Sequence, residues 1–224
     1  MRFRNEYKHR VTELELIGLR QRLNAVAKKD RFSVEKGGYL IKSLYFDNCY
    51  DKALNEKLMG IANREKFRIR FYNNDTSYIR LEKKSKINGL CLKQGARLSV
   101  EETQSIIDGE CSWMKDSKEE LICELWAKMH YQLLRPKNVV VYDREAYVYD
   151  AGDVRVTIDS NIRGSDNIQL FLSGKEVDLK LFNDIILEVK WNSFLPQVIR
   201  DIVQLENVQT SNFSKYAATR FSAF

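Results

Sequence analysis

The stretch EKFRIRFYNNDTSYIRLEKKSK, residues 65–86, reads as two strands joined by a polar turn. Successive side chains of a strand point to opposite faces. Arg68 and Arg70 therefore share one face, and Phe67, Ile69 and Phe71 share the other. After the turn, Arg80, Glu82, Lys84 and Lys86 alternate with Ile79 and Leu81. One face of the hairpin is apolar and the other densely cationic. Two architectures produce that pattern. In an ordinary one-sided sheet the charged face meets water and the apolar face packs on helices. In a closed sheet the charged face lines an interior and the apolar face still meets helices, now outside.

The same alternation recurs along the chain. Glu6 and Lys8 share a face, as do Tyr142 and Arg144, then Arg155, Thr157 and Asp159, then Glu188 and Lys190. Val154, Val156 and Ile158, and likewise Leu187 and Val189, occupy the opposite faces. Two features of the set favour an interior. Arginine predominates in FRIRF, YDREA and VRVTID, and its planar fork suits phosphate better than lysine does. Carboxylates also stand one alternation from cations: Glu6 from Lys8, Glu82 from Lys84, Glu188 from Lys190. A lumen so lined is costly when empty, because its charges repel and lose hydration. A polyanion with a divalent metal would neutralise it. Carboxylate oxygens suit Mg²⁺ or Mn²⁺, which bind substrate phosphates as well.

The rest of the chain supplies about eight strands with helices inserted between them. Thr12 with Glu15, Ser99 with Glu102, and Ser117 with Glu120 are capping-box pairs that open three helices, the first running to about Lys29. Asn48 is placed to cap a short helix ending near Gly60, and Asn88-Gly89 marks a hairpin turn. Pro196 suits a first helical turn, and NFSKYAATRF forms a last helix. Several strand pairs are hairpin-linked and helices do not alternate strictly with strands, which indicates an antiparallel α+β fold. No linker or repeat is visible, so residues 1–224 are expected to form one domain. Tyr39, Tyr45 and Tyr72 read as packing residues, and Lys28-Lys29-Asp30 as a helix end where cations meet the dipole.

Composition narrows the function classes. The chain has 224 residues, 44% hydrophobic, with only two prolines, which allows a sizeable core and argues against disorder. No apolar run approaches the roughly 18 residues of a membrane span. The N-terminus lacks the apolar segment of a signal peptide, so a cytoplasmic protein is expected. Cys49, Cys91, Cys111 and Cys123 show no zinc spacing and read as reduced thiols, and His9 and His130 are isolated. The net charge of +6 suits an anionic partner. No helix-turn-helix, RNP or zinc-finger signature is present, so nucleic acid is not that partner.

The segments NEYKHRV (5–11), SLYFDN (43–48), REKFRIRFY (64–72), LEKKSK (81–86), VYDREAY (141–147), VRVTID (154–159), ILEVKW (186–191) and FSKY (213–216), in that order and spacing, resemble the VTC domain. This is the polyphosphate polymerase branch of the triphosphate tunnel metalloenzymes. The resemblance implies an antiparallel eight-stranded closed tunnel β-barrel with a charged lumen and helices packed outside. It implies that Arg68, Arg70, Arg144, Arg155 and Lys190 act in catalysis and that Lys8, Lys84, Lys86, Tyr142 and Lys215 bind substrate. Glu188 matches the family's metal-binding carboxylate, with Glu6 and Glu82 as further candidates for Mn²⁺ or Mg²⁺. The substrates implied are ATP or another nucleoside triphosphate and inorganic polyphosphate. The first strand carries one E-x-K where the wider superfamily has E-x-E-x-K, which leaves the role of Glu6 open. Eukaryotic members carry regulatory and membrane domains. This chain shows neither, so coupling to a membrane is expected to come from a partner protein.

Three activities remain compatible with these residues. A polymerase transfers the γ-phosphate to a polyphosphate chain end. A tripolyphosphatase or nucleoside triphosphatase uses water instead. A non-catalytic module binds polyphosphate only.

Overall fold

Alternating strands, two working capping boxes and an Asn-Asn turn set the elements. The structure, a computed structural model, describes residues 5–34, 37–88, 90–174, 184–205 and 213–221. Its strands are β1 (Asn5–Val11), β2 (Lys28–Lys29), β3 (Tyr39–Asp47), β4 (Arg64–Tyr72), β5 (Asp75–Ile87), β6 (Leu90–Leu98), β7 (Arg135–Tyr149), β8 (Val154–Ser165) and β9 (Ile185–Trp191). Its helices are α1 (Glu13–Val26), α2 (Arg31–Val34), α3 (Lys52–Leu58), α4 (Val100–Asp108), α5 (Glu120–Tyr131), α6 (Gln197–Val203) and α7 (Lys215–Phe221). The ladders with resolved register are antiparallel. The hydrogen-bonded order is β1-β9-β8-β7-β3-β4-β5-β6, with β2 on β7.

This is the expected antiparallel α+β architecture, but the closed barrel is corrected. The path is open: it starts at β1, which pairs with β9, and ends at β6, which pairs with β5. Among the described residues no ladder joins the two end strands, and most side chains of β6 are exposed, as suits an edge. A ninth strand, β2, replaces the expected helix end at Lys28-Lys29. Helix α1 stops at Val26, and the two lysines pair with Val148 and Tyr147.

Contacts divide the chain into two compact units, each discontinuous in sequence. The first comprises Met1–Leu40, Tyr142–Ile162 and Leu181–Ser214; the second comprises Ile41–Val141, Arg163–Lys180 and Lys215–Phe224. In the first unit, α1 and α6 lie over the apolar side of the sheet. Leu16, Leu19, Leu23, Ile199 and Ile202 bury Val154, Val156, Ile158, Leu187 and Val189. Thr12 and Glu15 close the capping box that starts α1: the Thr12 hydroxyl accepts from the Glu15 amide at 3.2 Å, and Glu15 accepts from the Thr12 amide at 2.7 Å.

In the second unit, Asn73 and Asn74 take φ of 53° and 55°, the left-handed pair that a two-residue hairpin turn requires, and join β4 to β5. Phe67, Ile69, Phe71, Ile79 and Leu81 are all buried. Helices α3, α4 and α5 pack on β4 and β5. Ion pairs of Lys83 with Glu124 and of Lys128 with Glu65 fix α5 to that side. The apolar face of the opening hairpin is therefore the helix-covered face, as its alternation predicts. Ser99 and Glu102 form the capping box of α4, and Gly109 ends it at φ 87°. The third expected box is absent. Helix α5 begins at Glu120, and the Ser117 hydroxyl instead accepts from the Glu119 amide. Gly89 of the predicted Asn88-Gly89 turn lies outside the described residues, as do the first residues of the predicted strand at 2–11, Glu206 and Asn207 at the end of the segment opened by Pro196, and Asn212.

Asp47 ties three parts of the second unit together. Its buried carboxylate accepts from the amides of Asn48, Ala53 and Leu54 at 2.9, 2.8 and 3.1 Å, and from the Tyr216 hydroxyl at 2.7 Å. It thus closes the first turn of α3 together with Asn48, whose Oδ1 accepts from the Lys52 amide at 3.1 Å as the sequence predicts, and it holds α7 by Tyr216. Removing one acceptor leaves several buried donors unmatched. Asp47→Ala is expected to lower stability by about 3 kcal/mol, read as a reduced urea midpoint at unchanged m-value; an unaltered midpoint would show that α3 and α7 are held otherwise.

Candidate functional site

Each unit carries a charged sheet face centred on one buried carboxylate. In the first, strand register sets Lys8 beside Glu188, Glu6 beside Lys190, Thr157 beside Glu188 and Arg155 beside Lys190. Glu188 meets Lys8 at 3.4 Å, Lys190 at 3.1 Å and Arg144 at 3.7 Å. Glu6 meets Lys8 at 3.1 Å and Lys190 at 3.8 Å. The two glutamates therefore share two lysines. Burial pulls both lysines toward neutrality, but with opposite net results. For Lys8 the charges of Glu188 and Glu6 outweigh burial and the pKa rises; for Lys190 burial prevails and it falls.

Arg144 is fixed from two sides. Its Nε and Nη2 donate to the Asp159 carboxylate at 2.6 and 2.7 Å, and its guanidinium stands 5.5 Å from the Tyr142 ring centre. Burial opposes its charge, yet Asp159 and the other anions around it raise its pKa well above the ordinary arginine value. Arg155 reaches Asp30 at 2.6 Å and donates to the Tyr39 hydroxyl at 3.1 Å.

In the second unit the face is broader. Strand pairing aligns Arg64 with Lys86 and Cys91, Lys66 with Lys84 and Lys93, Arg68 with Glu82 and Gly95, and Arg70 with Arg80 and Arg97. Glu82, 2% exposed, is the one carboxylate at these positions. It meets Arg68 at 2.8 Å, Arg70 at 3.0 Å and Lys93 at 2.7 Å. Burial favours its neutral form, but Arg68, Arg70 and Lys93 hold its pKa at about 2. Arg68 also donates to the Tyr45 hydroxyl at 3.1 Å. The Tyr45 ring stacks on Tyr216 at 5.2 Å, and the Lys66 ammonium lies 5.6 Å from its centre. Lys215, at the start of α7, adds its charge to that of Arg68 and Lys66 around this phenol.

The predicted residues thus fall into two groups. Glu6, Lys8, Tyr142, Arg144, Arg155, Glu188 and Lys190 share the first face. Arg68, Arg70, Glu82, Lys84, Lys86 and Lys215 belong to the second unit. Tyr39 and Tyr45 are buried, as packing residues are, and their hydroxyls in addition contact arginines. Sequence reasoning also passed over Asp159, Asp30 and Lys93. Asp159 was visible in the alternation Arg155-Thr157-Asp159, and Lys93 follows from the β5–β6 register. Asp30 and the tyrosine hydroxyls gave no local signal, because their partners are distant in sequence.

The glutamates differ in fitness for a metal. Mg²⁺ and Mn²⁺ commonly take one or two protein carboxylates and complete their shell with water and substrate phosphate. Glu188 and Glu6, adjacent and sharing Lys8 and Lys190, form such a pair. Glu82 stands alone among cations, whereas Glu188 and Glu6, whose oxygens are likewise engaged by lysine or arginine, bring two carboxylates to one place. Among the described residues no cluster of three or more carboxylate, histidine or cysteine side chains is placed to hold a metal by itself.

Comparison with known proteins agrees with this architecture. The family model of the VTC domain matches residues 3–224. A crystal structure of a "putative adenylate cyclase" from Bacillus halodurans is 15% identical with a TM-score of 0.52, covering 99% of this chain and 87% of its own. A Pyrococcus horikoshii protein is 14% identical with a TM-score of 0.49, covering 99% of this chain and 100% of its own. The first of these shares the fold. Comparison with curated proteins found no match.

Tyr45 gives the second face a readable signature. Burial raises its pKa, but Arg68 and then Lys66 outweigh burial and hold the phenol at about 8, below the usual value of about 10. As pH rises, Tyr45 is expected to ionise ahead of an ordinary tyrosine, seen as an early step in phenolate absorbance. Tyr45→Phe should delete the step. Arg68→Gln should move it to higher pH, because burial then acts with less opposition. Absence of an early step in the wild-type protein would rule out this electrostatic picture.

Proposed function

The chain belongs to the VTC domain family, and from that premise we propose that it is a metal-dependent polyphosphate polymerase, transferring the γ-phosphate of ATP or another nucleoside triphosphate to a growing polyphosphate chain. The observation that carries the reading is the pair of charged sheet faces, each with a buried carboxylate shared by three cations. Such faces pre-organise arginine and lysine for phosphate oxygens, and the carboxylates offset their repulsion until the ligand arrives. The match of the family model over residues 3–224 supports treating the chain as one functional domain.

In this reading Arg144 and Arg155 on the first face, and Arg68 and Arg70 on the second, donate to phosphate oxygens and offset their charge. Lys8, Lys84, Lys86 and Lys215 bind the flanking phosphates, and Tyr142 supports the Arg144 guanidinium from its ring face. Glu188 and Glu6 would hold Mn²⁺ or Mg²⁺, which supplies charge neutralisation and orientation to the phosphates. Lys190, which shares Glu188 and Glu6 with Lys8, adds its cation to the arginines in catalysis. Glu82 acts as counter-ion to Arg68, Arg70 and Lys93 rather than as a metal ligand. A chain-end phosphate oxygen attacks the γ-phosphorus in line, the bond to the β-phosphate oxygen breaks, and nucleoside diphosphate leaves. No protein nucleophile is required. No helix of the described residues is long and apolar enough to cross a membrane. The four free cysteines suit a reducing compartment, and we place the protein in the cytoplasm.

Incubation with ATP and Mn²⁺, with separate assays for long polyphosphate, nucleoside diphosphate and free phosphate, tests the assignment. Polymer appearing with diphosphate is the expected result. Free phosphate without polymer would make the protein a hydrolase, and tight phosphate-chain binding without turnover would make it a binding module. Arg68→Ala, Arg144→Ala and Glu188→Ala are each expected to reduce turnover by about 100-fold or more while circular dichroism stays native.

A further inference from the structure

The cationic face of the second unit extends beyond the residues that the proposed reaction uses. Arg70, Arg80 and Arg97 lie side by side on β4, β5 and β6. Like charges directly opposed across strands are destabilising, and among the described residues the first of the three alone has an anionic partner: Arg70 meets Glu82. Arg80 and Arg97 are exposed and make no ion pair among the described residues. They are nonetheless held in place. The Arg97 guanidinium lies 5.5 Å from the Tyr78 ring centre and donates to the Ser77 carbonyl at 3.0 Å. Arg80 Nη1 stands 3.5 Å from the Tyr78 hydroxyl. Arg80 also lies across Gly95: a Cβ at that position would approach its Nε to 2.5 Å. Gly95 has no positive φ that would demand glycine. The missing side chain therefore serves as the seat for the guanidinium.

We propose that Arg80 and Arg97, bracketing Tyr78, form a second phosphate-binding subsite that takes the outgoing segment of a phosphate chain whose inner phosphates are bound at Arg70. The inference rests on the polyphosphate reading and adds to it a route for the product. A chain long enough to pass from Arg70 to Arg97 engages the pair, and a short phosphate ligand does not. The subsite thus recognises length, and its effect on a polymerase is to retain the product between additions. Tyr78 presents its ring to one guanidinium and its hydroxyl to the other, which keeps two like charges apart and oriented without a carboxylate that would compete with phosphate.

The test compares tripolyphosphate with polyphosphate of some hundred units as calorimetric ligands, for wild type, the double variant Arg80→Gln/Arg97→Gln, and Gly95→Ala. The alanine displaces Arg80 without straining the backbone. Matched thermal midpoints confirm that the variants are folded. The double variant is expected to weaken long-chain binding about tenfold and to leave tripolyphosphate affinity within about twofold. Gly95→Ala should change long-chain binding in the same sense and less. Equal losses for both ligands, or no loss for the long chain, would overturn the subsite while leaving the polyphosphate reading intact. Wild-type protein that binds neither ligand would overturn the reading itself. Phosphatidylserine vesicles form a control arm: variants that lose vesicle binding but keep long-chain binding would make this an acidic-lipid surface and sink the proposal.

Discussion

Glu82 and Glu188 each sit buried within reach of three cations, and the charged faces of this protein depend on that sharing. A buried carboxylate or guanidinium alone is expensive to desolvate. Three cations set side by side add mutual repulsion. On the second face one carboxylate among Arg68, Arg70 and Lys93 offsets part of both costs and leaves a positive excess, whereas on the first face Glu6 and Asp159 join Glu188 and match the cations more closely. The excess is what a phosphate chain would use. The same arrangement fixes the basic side chains on the faces: Arg68 and Arg70 are held by Glu82, and Arg144 is held by Asp159.

The sheet backbone makes the sharing possible. Strand pairing places Glu82 between Arg68 and Gly95, and Glu188 between Lys8 and Thr157. A slip of one residue in either ladder would turn the basic side chains into the helix-covered core and the phenylalanines outward. Register is therefore enforced from the opposite side, where Phe67, Ile69, Phe71, Val156 and Leu187 are buried. Hydrophobic burial there fixes the position of charge here. Polar anchoring then refines it, as with Asp47, which couples the end of β3 to α3 and, through Tyr216, to the helix that begins at Lys215.

Several features were legible in the chain because their causes are local. Period-two alternation marked the hairpin and the orientation of its faces. The Thr12–Glu15 and Ser99–Glu102 pairs announced helix starts that do form. The Ser117–Glu120 pair did not, since the same residue types also satisfy a turn, and Ser117 bonds the Glu119 amide instead. Lys28 and Lys29 looked like a helix end because cations suit that position; the pairing offered by β7, more than a hundred residues away, drew them into a strand.

The sequence by itself determined which residues face together within a strand, and hence that arginine, lysine and glutamate would gather opposite an apolar core. Alternation is a property of the single extended chain, so one strand suffices to show it. Only the tertiary structure decided which strands adjoin, that the strand path is open rather than closed, and which carboxylate serves which cation. Those outcomes depend on hydrogen bonds and ion pairs between residues far apart in the chain: Asp30 with Arg155, Tyr39 with Arg155, Glu188 with Lys8. No local pattern encodes such partners. The tyrosine hydroxyls illustrate the division most simply, since a buried ring is evident from its neighbours in sequence, while the arginine at its tip is not.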